Sequence, residues 1–387
     1  MAENLNAAEL AAVELTSSQI DLNRLTLTTR ARVVSTLRVL ETDLVRQLRA
    51  ADLAGLSSES LKRRRLEKLL RETRTVIAGR YSTAATQSAR GALEAATFMQ
   101  GEAVSVLNGL FRVNIVAPTL TRSELRALVD RDVVLGEPAR DWWNGQAEGT
   151  RRRFAREMRL GIQQGETNEE LIRRVRGRST GRTIEITTPR GRTKRVREFT
   201  GGAMDVSRNQ AETLVRTSAQ SVGNRAAMNV YEENGDLIKG YEAVTTLDGR
   251  TSRICMARTG SAWYVNGEPF PTSATQEGFP GPPPWHFKCR TQLSPVTYSW
   301  DELIERASGR RLDKLNTVPD SARATMDGQI GSGRVRTFDD WLNIKGDEFA
   351  RNKLGPELFD AWKEGQITLS QLIDSGGNLV PVKQLLN

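Results

Sequence analysis

Two cysteines and one histidine are the residues of this chain best suited to bind a metal ion. Cys255, Cys289 and His286 are the two cysteines and the one histidine of the 387-residue sequence, and we call them the Cys/His cluster. Zn²⁺ usually takes four ligands, and the His-x-x-Cys spacing of His286 and Cys289 lets both reach one ion from a single turn. Asp248 is the candidate for the fourth ligand. One structural zinc ion is therefore a hypothesis for this region.

Other interpretations of the same residues stay open. Both cysteines can be small buried apolar residues, with His286 a hydrogen-bonded loop residue. The two thiols can also form a disulfide, although two cysteines are too few for a disulfide scaffold and fit a reducing cytosol. Three protein ligands and a water molecule would instead be the geometry of a catalytic metal. No cofactor is certain on these grounds.

The residue types give little support for catalysis. A role for Asp248 as an acid lacks a nucleophile, a second acid and an oxyanion site. Ser252 and Ser294 have no base at a recognisable spacing, and no Gly-rich phosphate-binding loop occurs. We therefore predict that the protein is not an enzyme. The alternative is a metal-dependent hydrolase or nuclease that uses Asp248 and the Cys/His cluster.

Arginine-rich segments are the second feature with chemical meaning. The net charge of +9 combines residues 24–80, which carry +8, residues 151–199, which carry +9, and a remainder of −8. Arginine supplies 46 of the 56 basic residues, a skew that phosphate binding or the codon usage of a GC-rich genome would explain. The candidates for binding double-stranded DNA without sequence preference, or an acidic protein, are Arg190, Arg192, Lys194, Arg195, Arg197, Arg63, Arg64 and Arg65. For the last three, a solvated helix face is the competing interpretation.

The elements that position these residues are mostly helical. Residues 22–110 carry apolar side chains at spacings of three and four, which predicts an antiparallel helical hairpin or bundle. Residues 178–199 alternate polar and apolar side chains around a Pro-Arg-Gly turn, which predicts an arginine-rich β-hairpin arm. Short strands and a loop rich in Pro and Gly precede Pro284. The predicted fold class is α+β and predominantly α-helical.

The length of 387 residues suggests two or three folded units. No stretch approaches the roughly 20 apolar residues of a membrane span, and the acidic N-terminus differs from a signal peptide, so we expect no membrane association. The predicted divisions are an acidic flexible extension at 1–21, a helical region at 22–110, a helical connector with the hairpin arm at 111–205, a small α+β core with the Cys/His loop at 206–300, and a helical C-terminal region at 301–387.

The most specific stretch of the sequence contains two motifs. Asp248-Gly-Arg250-Thr251 leads to Cys255, and Pro283-x-x-His286-x-x-Cys289-Arg290 follows. These motifs resemble the phage Mu F-like family of head morphogenesis proteins, also called minor head proteins. Weaker similarity covers roughly residues 150–375, including 161–167 and 321–329. Many relatives carry further cysteines where Ser252 and Thr291 stand, so a site with four thiolates is impossible here.

The resemblance implies a minor head protein of a tailed bacteriophage. Its partners would be the portal protein, the major capsid or scaffold protein, and the packaged DNA. It would be present in several copies inside the virion near the portal vertex, after assembly in the host cytoplasm. Residues 22–110 would contact the portal or capsid, residues 206–300 would form the Mu F-like core domain, and Asp248, Arg250, Thr251 and Arg290 would be its structural motif. From the residue types alone, we predict that Asp248 and Arg250 form a local ion pair or cap the turn, which would hold the loop against the His286 region. A toxin-delivery module is a third interpretation, but the C-terminal residues resemble the family's own tail.

Overall fold

The computed structural model describes residues 7–56, 58–187, 193–308 and 337–385. Its α-helices are α1 (Ala7–Ala51), α2 (Glu59–Phe111), α3 (Arg122–Asp130), α4 (Ala139–Gln163), α5 (Asn168–Arg176), α6 (Ala203–Glu233), α7 (Arg253–Ala257), α8 (Trp300–Ser308), α9 (Phe338–Lys345), α10 (Asp347–Leu354), α11 (Pro356–Lys363) and α12 (Val382–Leu385). Its strands are β1 (Val133–Val134), β2 (Glu137–Pro138), β3 (Gly177–Thr187), β4 (Thr193–Gly201), β5 (Ile238–Val244), β6 (Ala262–Tyr264) and β7 (Gln292–Thr297). The predicted class, a predominantly α-helical α+β fold, is confirmed.

The chain divides into two compact units. The first unit takes its described residues from 1–24, 93–128 and 220–387, and the second takes them from 25–92 and 129–219. The helices α1, α2 and α6 each contribute residues to both units. Within the described ranges, no helix is both long and apolar enough to cross a membrane.

The second unit contains the predicted antiparallel helical hairpin. The Thr36 hydroxyl donates to Gln87 of α2 at 2.9 Å, and the guanidinium of Arg80 donates to Asp43 at 2.7 Å. Because the partner number on α2 falls as the number on α1 rises, the two helices run in opposite directions. Their apolar faces pack with those of α4, α5 and α6 in one core, whose buried members include Leu37, Leu40, Leu44, Tyr81, Trp143, Phe154, Leu171 and Leu214.

The predicted β-hairpin is also present in the second unit. Strands β3 and β4 pair in antiparallel register from Gly177 opposite Gly201 to Thr187 opposite Thr193, with an irregularity between Ser179 and Thr183. Alternating side chains favour such a ribbon because successive residues point to opposite faces. The turn at 188–192 lies outside the described residues.

The first unit is built around a three-stranded antiparallel sheet with the order β6-β5-β7. Every residue of the central strand β5 is buried, which is why its sequence does not alternate. Helices α9 to α11 form an apolar core with the residues that flank the Cys/His loop. Its buried members include Leu247, Met256, Ala257, Phe338, Trp341, Leu342, Leu358 and Phe359. The motif from residue 321 to 329 lies in the part of the chain that the structure does not describe.

The N-terminal segment differs from the predicted flexible extension. Helix α1 begins at Ala7 and includes the rest of that segment. Leu15 is buried against Val106, and the side-chain amide of Gln19 donates a 2.9 Å hydrogen bond to the carbonyl of Val244. Leu15 and Leu22 therefore continue the buried apolar stripe of α1 up to and past the predicted boundary.

Candidate functional site

The Cys/His cluster lies where α7 meets the loop that precedes β7. Ser252 is the N-cap of α7, because its hydroxyl accepts a 3.2 Å hydrogen bond from the backbone N–H of Cys255. His286 and Cys289 stand on a turn in which the N–H of Cys289 donates to the carbonyl of His286 at 3.2 Å. Lys288, within that turn, has a φ of 62°, a left-handed conformation that brings its neighbours together.

The three side chains predicted from the sequence meet in space. The Cys255 Sγ lies 3.0 Å from His286 Nε2 and 3.7 Å from Cys289 Sγ. All the possible ligand atoms of the cluster lie within 4.8 Å of one another, and both cysteines are buried. The structure therefore brings Cys255 together with two residues more than 30 positions later in the sequence, in a group that could hold a metal ion.

A backbone carbonyl fixes the orientation of the imidazole. His286 Nδ1 lies 2.8 Å from the carbonyl oxygen of Phe287. Because a carbonyl only accepts hydrogen bonds, Nδ1 must carry the proton and donate it, so the other nitrogen of a neutral ring has a free lone pair. That nitrogen, Nε2, faces both sulfur atoms and the Ser252 hydroxyl, which is 2.8 Å away.

The two thiols differ in acidity. Burial disfavours the Cys289 thiolate, but hydrogen bonds from Cys255 and His286 outweigh burial and hold the pKa of Cys289 well below its usual range. The hydrogen bond with Cys289, together with burial, raises the pKa of Cys255. Burial lowers the pKa of His286, but the Cys289 thiolate outweighs it and raises that pKa above its ordinary value. Of the two thiols, Cys289 therefore loses its proton more readily than Cys255.

Asp248 lies outside this cluster and is bound to arginine. Its side chain is fully buried, and its two oxygens accept hydrogen bonds of 2.5 and 2.6 Å from the guanidinium of Arg290. Burial disfavours the carboxylate, yet Arg290 and the backbone N–H of Arg250 lower the pKa of Asp248 below its ordinary value. Among the described side chains, the carboxylate of Asp248 does not join the atoms that could hold one metal ion. Asp248 therefore stabilises the loop by binding Arg290 and the backbone of residue 250.

The predicted bracing motif is assembled, with a different main contact. The Arg250 guanidinium is mostly exposed and lies 3.9 Å from Asp248, whereas its backbone N–H donates to Asp248 at 2.8 Å. The Thr251 hydroxyl donates to the carbonyl of Thr246 at 2.6 Å. Asp248 therefore caps its own turn and forms its ion pair with Arg290, the neighbour of Cys289.

Three residues that support the loop were not predicted from the sequence. The Lys353 ammonium on α10 donates to the carbonyls of Gly249 and Thr251 at 2.8 and 2.7 Å. On α6, the side-chain amides of Gln220 and Asn224 donate to the carbonyl of Thr291 at 3.0 and 3.2 Å. These contacts join residues about 70 to 100 positions apart, and no local sequence pattern predicts them.

A groove lined by arginines lies in the second unit, beside the base of the β-hairpin. Its volume is about 820 Å³. We call it the basic groove. Six arginines and two glutamates line it, namely Arg38, Arg49, Arg173, Arg176, Arg178, Arg197, Glu41 and Glu169.

Several of these arginines are already paired. Glu41 lies 3.3 Å from Arg176, and Glu169 lies 3.4 Å from Arg49. Burial raises the pKa of Glu41 even though Arg208 and Arg176 attract its charge. The side chains of Arg173, Arg178 and Arg197 are exposed, and no carboxylate of the described residues lies within 4.0 Å of them.

The predicted basic residues fall in different places. Arg197 lines the basic groove, while Arg195 is exposed and pairs with Glu185 at 3.2 Å. The arginines from 63 to 65 are exposed on α2 and do not line the groove. Arg190, Arg192 and the side chain of Lys194 lie outside the described residues. The groove also includes Arg173, which stands in a basic Arg173-Arg174 pair of the sequence, and it adds Arg38, Arg49, Arg176 and Arg178, which were not predicted to bind a partner.

Fold and sites together define a helical α+β protein with a braced Cys/His loop in one unit and a basic groove in the other. Residues 152–294, which contain both motifs, match the family model described as Phage Mu protein F like protein. This match confirms the resemblance to the phage Mu F-like family that the two motifs indicated. No curated protein and no solved structure matches the chain.

Proposed function

We propose that this protein is a minor head protein of a tailed bacteriophage that binds the portal vertex of the procapsid and contacts the packaged double-stranded DNA. The family match supports the role in head assembly. The observation that carries the DNA contact is the basic groove, where six arginines stand against two glutamates. Such an excess of guanidinium groups suits a polyanion, because each group can donate paired hydrogen bonds to phosphate oxygens.

Three arginines are the best placed to bind phosphates. Arg173, Arg178 and Arg197 are exposed, line the same groove, and have no described carboxylate to displace. Each phosphate that an arginine neutralises releases counterions and steepens the salt dependence of binding by roughly 0.9 in log–log slope. Three such contacts would contribute about 2.7 to that slope. Because phosphates are common to every sequence, the binding we propose has no base specificity.

Fluorescence anisotropy with a labelled duplex of arbitrary sequence, titrated at several salt concentrations, tests this contact. The triple variant R173A/R178A/R197A should weaken binding at low salt and reduce the slope by about 2 to 3. The matched control is R63A/R64A/R65A, which removes the same charge from exposed positions outside the groove. Circular dichroism would verify that both variants are folded.

Two results would contradict the groove as the DNA site. Equal losses in both triple variants would mean that the groove contributes no more to DNA binding than the exposed arginines of α2, and an unchanged slope in the groove variant would mean that DNA binds elsewhere. A separate variant with Arg190, Arg192 and Arg195 replaced by alanine tests the hairpin arm that the sequence indicated.

Association with the portal is tested by co-purification. We expect the protein in assembled heads and in DNA-free heads, together with the portal protein, because a portal contact does not require DNA. Its absence from both kinds of head would contradict the minor-head role. The variant L27D/L61D, which changes two exposed apolar side chains within residues 22–110, tests whether that helical region makes the contact.

A further inference from the structure

We infer that Cys255, His286 and Cys289 bind one zinc ion whose fourth ligand is a water molecule held by Ser252. The proposal rests on the Cys/His cluster and does not depend on the function proposed above. Thiolate sulfur and imidazole nitrogen are the ligands that zinc prefers. Side chains of both kinds meet here with their ligand atoms within 4.8 Å of one another.

The spacing of the sulfur atoms fits a tetrahedral zinc ion. With Zn–S bonds of about 2.3 Å, tetrahedral angles place two thiolates about 3.8 Å apart. Cys255 Sγ and Cys289 Sγ are 3.7 Å apart. The same geometry puts a sulfur about 3.5 Å from a ligating nitrogen. Because His286 Nε2 is 3.0 Å from Cys255 Sγ, the imidazole needs to move by only about half an ångström.

The imidazole is oriented for coordination. Zinc-binding histidines usually donate their second N–H to a carbonyl or carboxylate, which fixes the tautomer and the direction of the free lone pair. His286 Nδ1 makes such a hydrogen bond with the carbonyl of Phe287 at 2.8 Å. Nε2 is thereby directed at the two sulfur atoms, as zinc binding requires.

The fourth ligand is where the structure departs from the sequence hypothesis. The Asp248 carboxylate already accepts two hydrogen bonds from Arg290 and lies outside the group. Beside the cluster is a cavity of about 20 Å³ whose lining includes Ser252, Cys255 and His286. That volume holds about one water molecule, and the Ser252 hydroxyl is within reach to hydrogen-bond it. Two thiolates would balance the charge of the ion without any carboxylate.

Metal analysis of the unmodified protein is the first test. Protein purified without a chelator should contain one zinc ion per chain. After the zinc is removed, titration with Co²⁺ should give thiolate-to-cobalt charge-transfer bands and the intense visible bands of four-coordinate cobalt, saturating at one equivalent. Absence of zinc together with failure to bind cobalt would overturn the proposal, as would the weak bands of six-coordinate cobalt.

Variants then identify the ligands. C255S, H286Q and C289S should each lose stoichiometric zinc, whereas D248N, which changes the carboxylate of the sequence hypothesis, should still bind one zinc ion per chain with lower affinity. S252A should retain the ion with affinity lowered about 10-fold or more, as expected for a group that supports a ligand. Loss of zinc in D248N with retention in H286Q would refute the ligand set. If a cysteine variant does not fold, the cobalt spectrum of the unmodified protein still decides.

Thiol titration separates zinc from a disulfide. Protein unfolded in chelator without reductant should show two free thiols per chain if the cysteines bind zinc. No free thiols would show that Cys255 and Cys289 form a disulfide in the purified protein, and the zinc proposal would then be wrong.

Discussion

The ion pair between Asp248 and Arg290 is expected to contribute strongly to the free energy of unfolding of the first unit. Changing Asp248 to Asn keeps the size of the side chain but removes the charge that two guanidinium hydrogen bonds require. Asp248 is fully buried, and only about a sixth of the Arg290 side chain is exposed, so water cannot readily replace the lost partner. The substitution therefore leaves a largely buried arginine without its counterion.

Removing one partner of a buried ion pair costs about 3–5 kcal/mol, because the remaining charge stays desolvated. We expect D248N to lower the free energy of unfolding by about 3 kcal/mol, near the lower end of this range. The reasons are that Arg290 is partly exposed and that Asn keeps one oxygen that can accept a hydrogen bond. The matched control is R250A. The Arg250 guanidinium is 74% exposed and 3.9 Å from Asp248, so R250A should cost less than about 1 kcal/mol. The backbone N–H of residue 250 still caps Asp248 in that variant.

Hydrogen exchange followed by mass spectrometry in increasing urea measures this effect locally. A local method is needed because two compact units need not unfold together. Peptides from β5 and β7 should report the loss of about 3 kcal/mol, while peptides from α4, in the other unit, should be unchanged. If D248N differed from the unmodified protein by no more than R250A does, the ion pair would not be a major stabilising contact, and this reasoning would be refuted.

Two further predictions concern pH and helix packing. Burial disfavours the Asp248 carboxylate, but Arg290 outweighs burial and lowers the pKa of Asp248 in the folded protein. The ion pair therefore stabilises the fold fully above the unfolded pKa of about 4, and this stabilisation is lost as the pH falls through the folded pKa. The difference in unfolding free energy between the unmodified protein and D248N should therefore shrink in acid. A gap independent of pH would contradict that sign. On α2, a Cβ at Gly91 would meet Thr29 at 2.2 Å, whereas one at Gly79 would meet nothing within 4 Å. Hydrogen exchange of α2 peptides in urea should therefore show G91A destabilised by about 1–3 kcal/mol and G79A stabilised by about 0.5–1 kcal/mol. Equal effects would disprove the close approach of the two helices.

Local patterns in the sequence were sufficient for much of the fold. The helical hairpin and the β-hairpin follow from side-chain periodicity, which reflects the face that each element buries. The same rule applied to the N-terminus would have extended α1, because Leu15 and Leu22 continue its buried stripe. The acidic residues there obscured the pattern, although a helix accepts them on its exposed face.

The basic groove could not be predicted in the same way. Its arginines come from α1, α5 and both hairpin strands, and none of these segments has a recognisable binding motif by itself. The count of charges over 151–199 indicated a basic surface but did not show which arginines are paired. Pairing decides which charges are available to a phosphate, and it depends on side chains that only the folded chain brings together, such as Glu41 and Arg176.

In the Cys/His loop, the side chains that could bind a metal ion were easier to predict than the contacts that hold them in place. Cysteine and histidine are rare here and chemically distinctive, so residue type was enough to select Cys255, His286 and Cys289. Asp248 is equally prominent in the motif, and its closeness to Arg250 in the sequence predicted a local ion pair. In the folded protein, the carboxylate of Asp248 instead accepts two hydrogen bonds from the guanidinium of Arg290. Because Arg290 directly follows Cys289, the ion pair holds the backbone that presents this sulfur to the cluster. Asp248 is therefore a positioning residue. For the zinc site that we propose, removal of Asp248 should change how tightly zinc is held, whereas removal of a ligand should change whether a full equivalent is bound at all.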